Sequence, residues 1–255
     1  DQENIIITLR HRLKIMGYLN EDASLDIDIF DHRLEDAVKR YQLRHGLIVD
    51  GIVGPQTWNS LNVPIGARIK QVLINMERWR WMPRQLGKRH LMVNMTGFEL
   101  YMIDNGRQIL SMPVIVGKSF RSTPSFSGLV SLMEYNPYWT IPEKLVLEDI
   151  IPQQIIDSSY LSKKSIKIFK GWGDNIHEID PLTVDWEKLD KEHFPYWLRQ
   201  EPGAKNSLGR VKFLFSNPYE IYLHGTPDKY LFDRVVRTFS SGCIRVKDPV
   251  RLAAY

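Results

Sequence analysis

Near residue 88 the apolar residues change their spacing, from three and four apart to two apart. Before that point, "IGARIKQVLINMERWRW" (65–81) places Ile69, Val72, Leu73, Met76 and Trp79 on one helical face. After it, "HLMVNMTGFELYMIDNGRQILSMPVIVG" alternates apolar with polar residues around an Asp-Asn-Gly turn at 104–106, a strong hairpin signal. No single element satisfies both periods, so the chain is expected to be α+β, helical first and mainly β from 88 to 255. Further strands are expected in "GLVSLMEYN" (128–136), "GRVKFLFSN" (209–217) and "YEIYLHG" (219–225).

The helical part divides again. Residues 1–63 read as a small three-helix unit and 64–87 as a linker helix. "IIITLRHRLKIMGYL" sets Leu9, Leu13 and Met16 on one face, and "DHRLEDAVKRYQLRHG" does the same with Leu34, Ala37, Val38 and Tyr41. "LIVDGIVGPQTWNSLN" then gives an Asp-Gly turn, a helix start at Pro55 and a short helix whose packing residues are expected to be Trp58 and Leu61.

Between the later strands, residues 143–207 break the alternation and are rich in Trp, Pro and polar turns. A structureless loop of that length is uncommon in a compact domain. The stretch is therefore expected to be an inserted subdomain lying over the sheet.

Charge excludes little but narrows the partners. The net charge is +4, and basic residues are interspersed with acidic ones, so no nucleic-acid surface is expected. The Arg-Trp cluster at 77–90 reads instead as a helix end that packs its tryptophans. No run of apolar residues is long enough to span a bilayer, and the first residues do not read as a signal peptide. Both ends look cut, so a membrane anchor could lie outside these residues. The one cysteine excludes an internal disulfide and a multi-cysteine zinc site. No His-x-Glu, Glu-x-x-His or Asp-rich loop suggests a metal, and no cofactor is expected.

That cysteine, Cys243, lies in "TFSSGCIRVKD". An imidazole that takes its proton would make it a nucleophile, and His224 ends a predicted strand 19 residues earlier. The pairing leads to an expected thiol pKa below the free value of about 8.5. Backbone N–H groups of the Ser241-Gly242 turn are expected to face a developing oxyanion, with glycine at 242 leaving room for the incoming carbonyl. Tyr222 and Arg245 stand two positions from His224 and Cys243, so each shares a face with its neighbour. Tyr222 is read as lining the acyl pocket. Arg245 either holds a substrate carboxylate in a bidentate grip or pairs with a nearby acid. The other histidines, His11, His32, His45, His90, His177 and His193, show no shared spacing.

Chain order separates the cysteine chemistries. Papain-like proteases place Cys before His, and caspase-like chains need a longer gap and a different Cys environment. What His224-Gly225-Thr226 and Ser240-Ser241-Gly242-Cys243-Ile244-Arg245 do resemble is the L,D-transpeptidase catalytic pattern. The resemblance extends through "VIVGKSFRSTPSFSG", "NPYWTIP" and "PGAKNSLGRVKF", covering 88–255. Upstream, "AVKRYQLRHGLIVDGIVGPQTWNSL" resembles the peptidoglycan-binding domain of bacterial wall enzymes. Together they resemble the large Gram-negative L,D-transpeptidases that carry a capping subdomain over the active site.

The resemblance implies a mainly β, sandwich-like catalytic domain. It also implies a thioester on Cys243, release of terminal D-alanine from a tetrapeptide donor, and attack by a diaminopimelate amine to give a 3-3 cross-link between peptidoglycan stem peptides. It implies inhibition by carbapenems, a periplasmic location, and Trp139 of "NPYWTIP" as a pocket residue. Many relatives carry histidine where this chain has Ser241, so a backbone carbonyl, or else Asp228, is left to orient His224. An L,D-carboxypeptidase, an enzyme attaching lipoprotein to the wall, and a wall-binding protein with a vestigial catalytic domain remain open alternatives.

Overall fold

In the computed structural model, residues 2–20 and 28–255 are described, and the chain divides into two compact units, 1–84 and 85–255.

The first unit contains α1 (Gln2–Ile15), α2 (His32–Arg44), α3 (Pro55–Leu61) and α4 (Ile65–Arg80). Asp31 caps α2 by accepting from Leu34 N–H at 2.9 Å, and α2 buries Leu34, Ala37, Val38 and Tyr41, the face expected from their spacing. Leu9, Leu13 and Leu61 complete that core. Two expected packing residues do not join it. Met16 lies beyond the end of α1, and Trp58 is turned outward while Thr57, one position before it, is buried.

Thr57 is buried because of Gln42. The Gln42 amide donates to Asp50 Oδ1 (2.8 Å), the Ile52 carbonyl (2.9 Å) and Thr57 Oγ1 (3.2 Å), while its Oε1 accepts from Gly51 N–H (2.9 Å). One buried amide thus fastens the whole Asp-Gly-x-x-Gly-x-x-Thr loop to α2. Its contacts to Thr57 and the Gly51 N–H satisfy polar groups that would otherwise be costly to bury. Helix α4 buries no side chain, and Trp79 and Trp81 are 64% and 72% exposed.

The second unit is built on β1 (Arg89–Asn94), β2 (Glu99–Asp104), β3 (Arg107–Gly117), β4 (Val130–Tyr135), β5 (Trp139–Ile141), β6 (Ile166–Lys170), β7 (His177–Ile179), β8 (Tyr196–Gln200), β9 (Val211–Phe215), β10 (Leu223–His224), β11 (Thr238–Ser240) and β12 (Ile244–Val246). The larger sheet runs β1-β2-β3-β12-β10-β9-β4, with β11 pairing parallel to β3. Its β2–β3 hairpin turns on Asn105 and Gly106, both at positive φ (49° and 76°), the backbone a tight Asn-Gly turn demands.

Alternation gives this sheet two unlike faces. Leu100, Met102, Leu110, Met112, Val114, Val116, Val211, Phe213, Leu223, Ile244 and Val246 form the core on one side, closed by Leu252 of the terminal helix Pro249–Ala253. The strand expected over 219–225 is laddered only at 223–224. Ahead of it Asn217 holds a turn, its Oδ1 accepting from Tyr219 and Ile221 N–H, and Glu220 takes a φ of 55° that breaks the extended backbone.

The inserted stretch is a domain-like layer with its own antiparallel sheet, β5-β8-β6-β7, and its own core of Ile141, Val146, Ile150, Ile151, Leu161, Ile166, Ile168, Val184, Trp186 and Leu198. This sheet recruits 139–141, ahead of the break at 143. Asn206 ties its two ends together, donating to the carbonyls of Pro137 (2.9 Å) and Glu201 (3.0 Å). The second unit is thus α+β with a dominant sheet.

Candidate active site

On the face of the large sheet opposite its core, β10 and β12 run parallel, with Leu223 level with Ile244 and His224 level with Arg245. One step earlier Ile244 N–H donates to the Tyr222 carbonyl at 3.1 Å, which sets Tyr222 beside Cys243. Leu223 and Ile244 point into the core, so Tyr222, His224, Cys243 and Arg245 share the other face. Strand β9 adds Lys212, level with His224, and β4 adds Glu134, level with Lys212.

His224 is 5% exposed, and its Nδ1 meets the Gly225 carbonyl at 2.5 Å. That carbonyl fixes the ring without a second imidazole, and the Leu208 backbone also hydrogen-bonds the imidazole. Burial first, then the charge of Arg245, holds the imidazole neutral, with its pKa pushed down to about 3. Asp228, the alternative partner, lies elsewhere: its Oδ2 is 3.5 Å from Arg245 Nη1. Of the two readings of Arg245, the pairing with a nearby acid is thus what the structure contains. Its Nε is buried with no hydrogen-bond partner, so one donor edge is uncommitted.

The thiol differs from expectation. Burial pushes the Cys243 thiol up rather than down, opposed by hydrogen bonds from Tyr222 and the charges of Lys212 and Arg245. A neutral, buried imidazole carries no charge to stabilise a resting thiolate, which is why the expected depression fails. The thiol instead points toward the Glu220 carbonyl at 4.0 Å. Tyr222 is pushed the same way as the thiol, by burial and by Cys243, while a hydrogen bond from Trp139 acts against it. Trp139, from β5 of the inserted layer, therefore reaches the phenol beside the sulfur.

The turn before the sulfur also departs from its expected role. Gly242 N–H donates to Ser240 Oγ at 3.2 Å, and Ser240 Oγ donates to the Cys243 carbonyl at 2.5 Å. The Gly242 N–H is thus spent inside the turn. The Ser241 hydroxyl is exposed and accepts from Arg121 Nη1 at 3.0 Å. Gly242 is required by its backbone, at φ 119°, since an added Cβ would meet only Ile221 at 3.9 Å.

Several contributors were not singled out in the sequence. Thr123 Oγ1 accepts from Gly117 N–H (2.9 Å) and donates to the Gly242 carbonyl (2.7 Å), and Lys118 N–H donates to Ser240 O (3.0 Å). Loop 117–123 thereby braces the cysteine turn. Lys212 stands over the Tyr222 ring at 4.6 Å and faces Glu134 at 3.9 Å. A lone lysine among the apolar residues of "VKFLF" was the available signal. For Thr123 nothing distinguished it from an ordinary loop hydroxyl. Among the described residues no cluster of three or more His, Cys, Asp or Glu side chains could hold a metal ion. No described helix is long and apolar enough to cross a membrane.

The sheet face thus gathers a thiol, a neutral imidazole and a guanidinium, the kinds of group that acyl-transfer chemistry uses. Residues 88–255 match the family model described as "L,D-transpeptidase catalytic domain", and the chain belongs to that family. Residues 2–61 match the model described as "Putative peptidoglycan binding domain". A Haemophilus influenzae protein named "Putative L,D-transpeptidase" is 35% identical over 185 residues, covering 72% of this chain. The chain spans only 36% of that relative's length. Two crystal structures of L,D-transpeptidases also align. That from Stackebrandtia nassauensis has 12% identity and a TM-score of 0.34, covering 100% of this chain and 86% of the other. That from Xylanimonas cellulosilytica has 17% identity and a TM-score of 0.27, covering 96% and 83%.

Proposed function

We propose that this protein forms 3-3 cross-links between peptidoglycan stem peptides through a Cys243 thioester. The observation that carries the reading is the common sheet face of Cys243, Tyr222, His224 and Arg245, with a buried imidazole that is neutral and so able to accept a proton.

The thiol proton passes to His224 Nε2 as Sγ attacks the carbonyl of the third stem residue, which by resemblance is diaminopimelate. The carbonyl oxygen becomes an oxyanion, a role for which the Cys243 N–H is proposed as donor because the Gly242 N–H is already taken by Ser240 Oγ. The C–N bond then breaks, the imidazolium gives its proton to the leaving D-alanine amine, and a thioester remains. An amine of a second stem peptide attacks the thioester and loses a proton to His224, which returns it to the sulfur. Because the resting pair is neutral, no charge separation has to be maintained in the free enzyme. The charge appears only when the substrate carbonyl is present.

The helical unit would hold the enzyme to its polymer, consistent with a periplasmic location. A disaccharide-tetrapeptide incubated with the protein should give cross-linked dimer by mass spectrometry. Tripeptide alone would point to hydrolysis, and no product would refute the reading. A carbapenem should add one mass to the protein and none to Cys243→Ala, and an adduct persisting on the variant would remove Cys243 from its role.

A further inference from the structure

Arg121 hydrogen-bonds the cysteine turn and ion-pairs with the inserted layer. Its Nη1 donates to Ser241 Oγ (3.0 Å) and to Asp149 Oδ2 (2.6 Å), and its Nη2 donates to Glu148 Oε2 (2.5 Å) and Asp149 Oδ1 (3.1 Å). Its side chain is only 11% exposed, while Glu148 and Asp149 are each 46% exposed. The two acids sit in a π-helical turn, Val146–Ile150, of the inserted layer. Insertions of that kind in a helix are frequent at functional sites.

One guanidinium faces two carboxylates, and of these Glu148 also stands 4.0 Å from Lys144 Nζ, so it keeps a cation beside it when it leaves Arg121. Half-exposed carboxylates keep much of their hydration, and exchanging one for another carboxylate costs little. A guanidinium presents a planar fork suited to a carboxylate. Arg121 itself is held in place: its loop is fastened to the cysteine turn by Thr123 and Lys118, and its backbone carbonyl lies so close to Gly117 that a Cβ there would fall 2.2 Å from it. Arg245, the guanidinium on the sheet face, already faces Asp228.

We propose that Arg121 is a specificity-determining receptor for a peptide carboxylate one residue beyond the scissile carbonyl, occupied at rest by Glu148 and Asp149. The inference rests on the acyl-transfer reading for its substrate, not for its chemistry. A donor ending in a free carboxylate displaces one acid, loosening the inserted layer from the cysteine turn. When the terminal residue leaves, the carboxylate leaves with it, and Glu148 and Asp149 regain the guanidinium.

The test is the rate of Cys243 alkylation by iodoacetate relative to iodoacetamide, two reagents that differ in charge. Glu148→Gln with Asp149→Asn should raise that ratio by about threefold or more over wild type, and adding Arg121→Gln to the pair should return it to the wild-type value or below. Ratios within about 1.5-fold across all variants would overturn the proposal. Should Arg121→Gln not fold, hydrogen exchange in Cys243→Ala decides. A tetrapeptide ending in D-alanine should speed exchange at 146–150 and its C-terminal amide should not, while equal effects would overturn the proposal. The alkylation ratio does not depend on turnover. A shifted ratio with an unprocessed tetrapeptide would therefore refute the acyl-transfer reading alone, and a flat ratio with normal turnover would refute this one alone.

Discussion

His224 stands level with Arg245 across the parallel strands β10 and β12, so a buried imidazole has a guanidinium as its neighbour. Arg245 is itself partly offset by Asp228 at 3.5 Å, yet its charge still acts with burial to keep His224 neutral. The imidazole is thus neutral at rest, the state that the proposed general-base role requires.

This arrangement makes stability depend on pH in a definite direction. The folded-state pKa of His224 is pushed down to about 3, below the ordinary histidine value of about 6.5. Below that ordinary value the unfolded chain binds a proton that the folded chain does not. The contribution is therefore fully present above pH 6.5 and is lost as pH falls toward 3. Between pH 6.5 and 5, before most carboxylates titrate, the loss should approach about 1.4 kcal/mol per pH unit. Denaturant melts of wild type against His224→Asn should show a shallower pH slope in the variant. Equal slopes would mean that the imidazole is not held neutral.

The thiol makes a second prediction, opposite to the one its neighbours suggested. With burial pushing Cys243 up, iodoacetamide alkylation of the free enzyme should keep accelerating past pH 8.5, about the free-thiol value. A plateau below pH 7 would instead reveal a resting thiolate–imidazolium pair.

Gln42 makes a third. Gln42→Leu keeps the volume but leaves buried Thr57 short of a donor and the buried Gly51 N–H without its acceptor. Each stranded buried group costs about 1–3 kcal/mol. The melting transition of the helical unit should drop by 10 °C or more, on the order expected for so small a domain. Carbapenem acylation of Cys243 should be unchanged, and a variant melting with wild type would deny the network its structural role.

How much of this was legible depended on whether a residue acts along the chain or across it. The period change at 88, the Asn105-Gly106 turn and the α2 face follow from local rules, and the structure contains all three. The pairing of Tyr222 with His224 on one face followed from strand alternation. What sequence could not provide was electrostatic environment. The expected thiolate assumed a charged imidazole, and the depth of His224 in the fold, with Arg245 beside it, makes it neutral. The oxyanion role given to Gly242 failed similarly, because a serine two residues earlier takes its N–H. Arg121 lies 120 positions from Ser241, a contact no spacing rule addresses.

The last prediction concerns the inserted layer. Its core shares no residue with the core of the large sheet, so the layer can be removed as a unit without opening the catalytic core. A cut through 165–195 would take β6 and β7 while stranding β8, leaving half of the inserted core exposed. The better excision replaces 139–200 with a short Gly-Ser linker and keeps Asn206, whose bond to Pro137 already draws the ends together. If the layer excludes water from the thioester, as lids over reactive intermediates do, its loss should shift products from cross-linked dimer to free tripeptide. Carbapenem acylation should survive, since Cys243 and His224 belong to the other sheet. Trp139→Phe serves as the control for the lost indole contact with Tyr222. A truncated protein that melts cooperatively and keeps the parental dimer-to-tripeptide ratio would show that the layer does not shield the thioester.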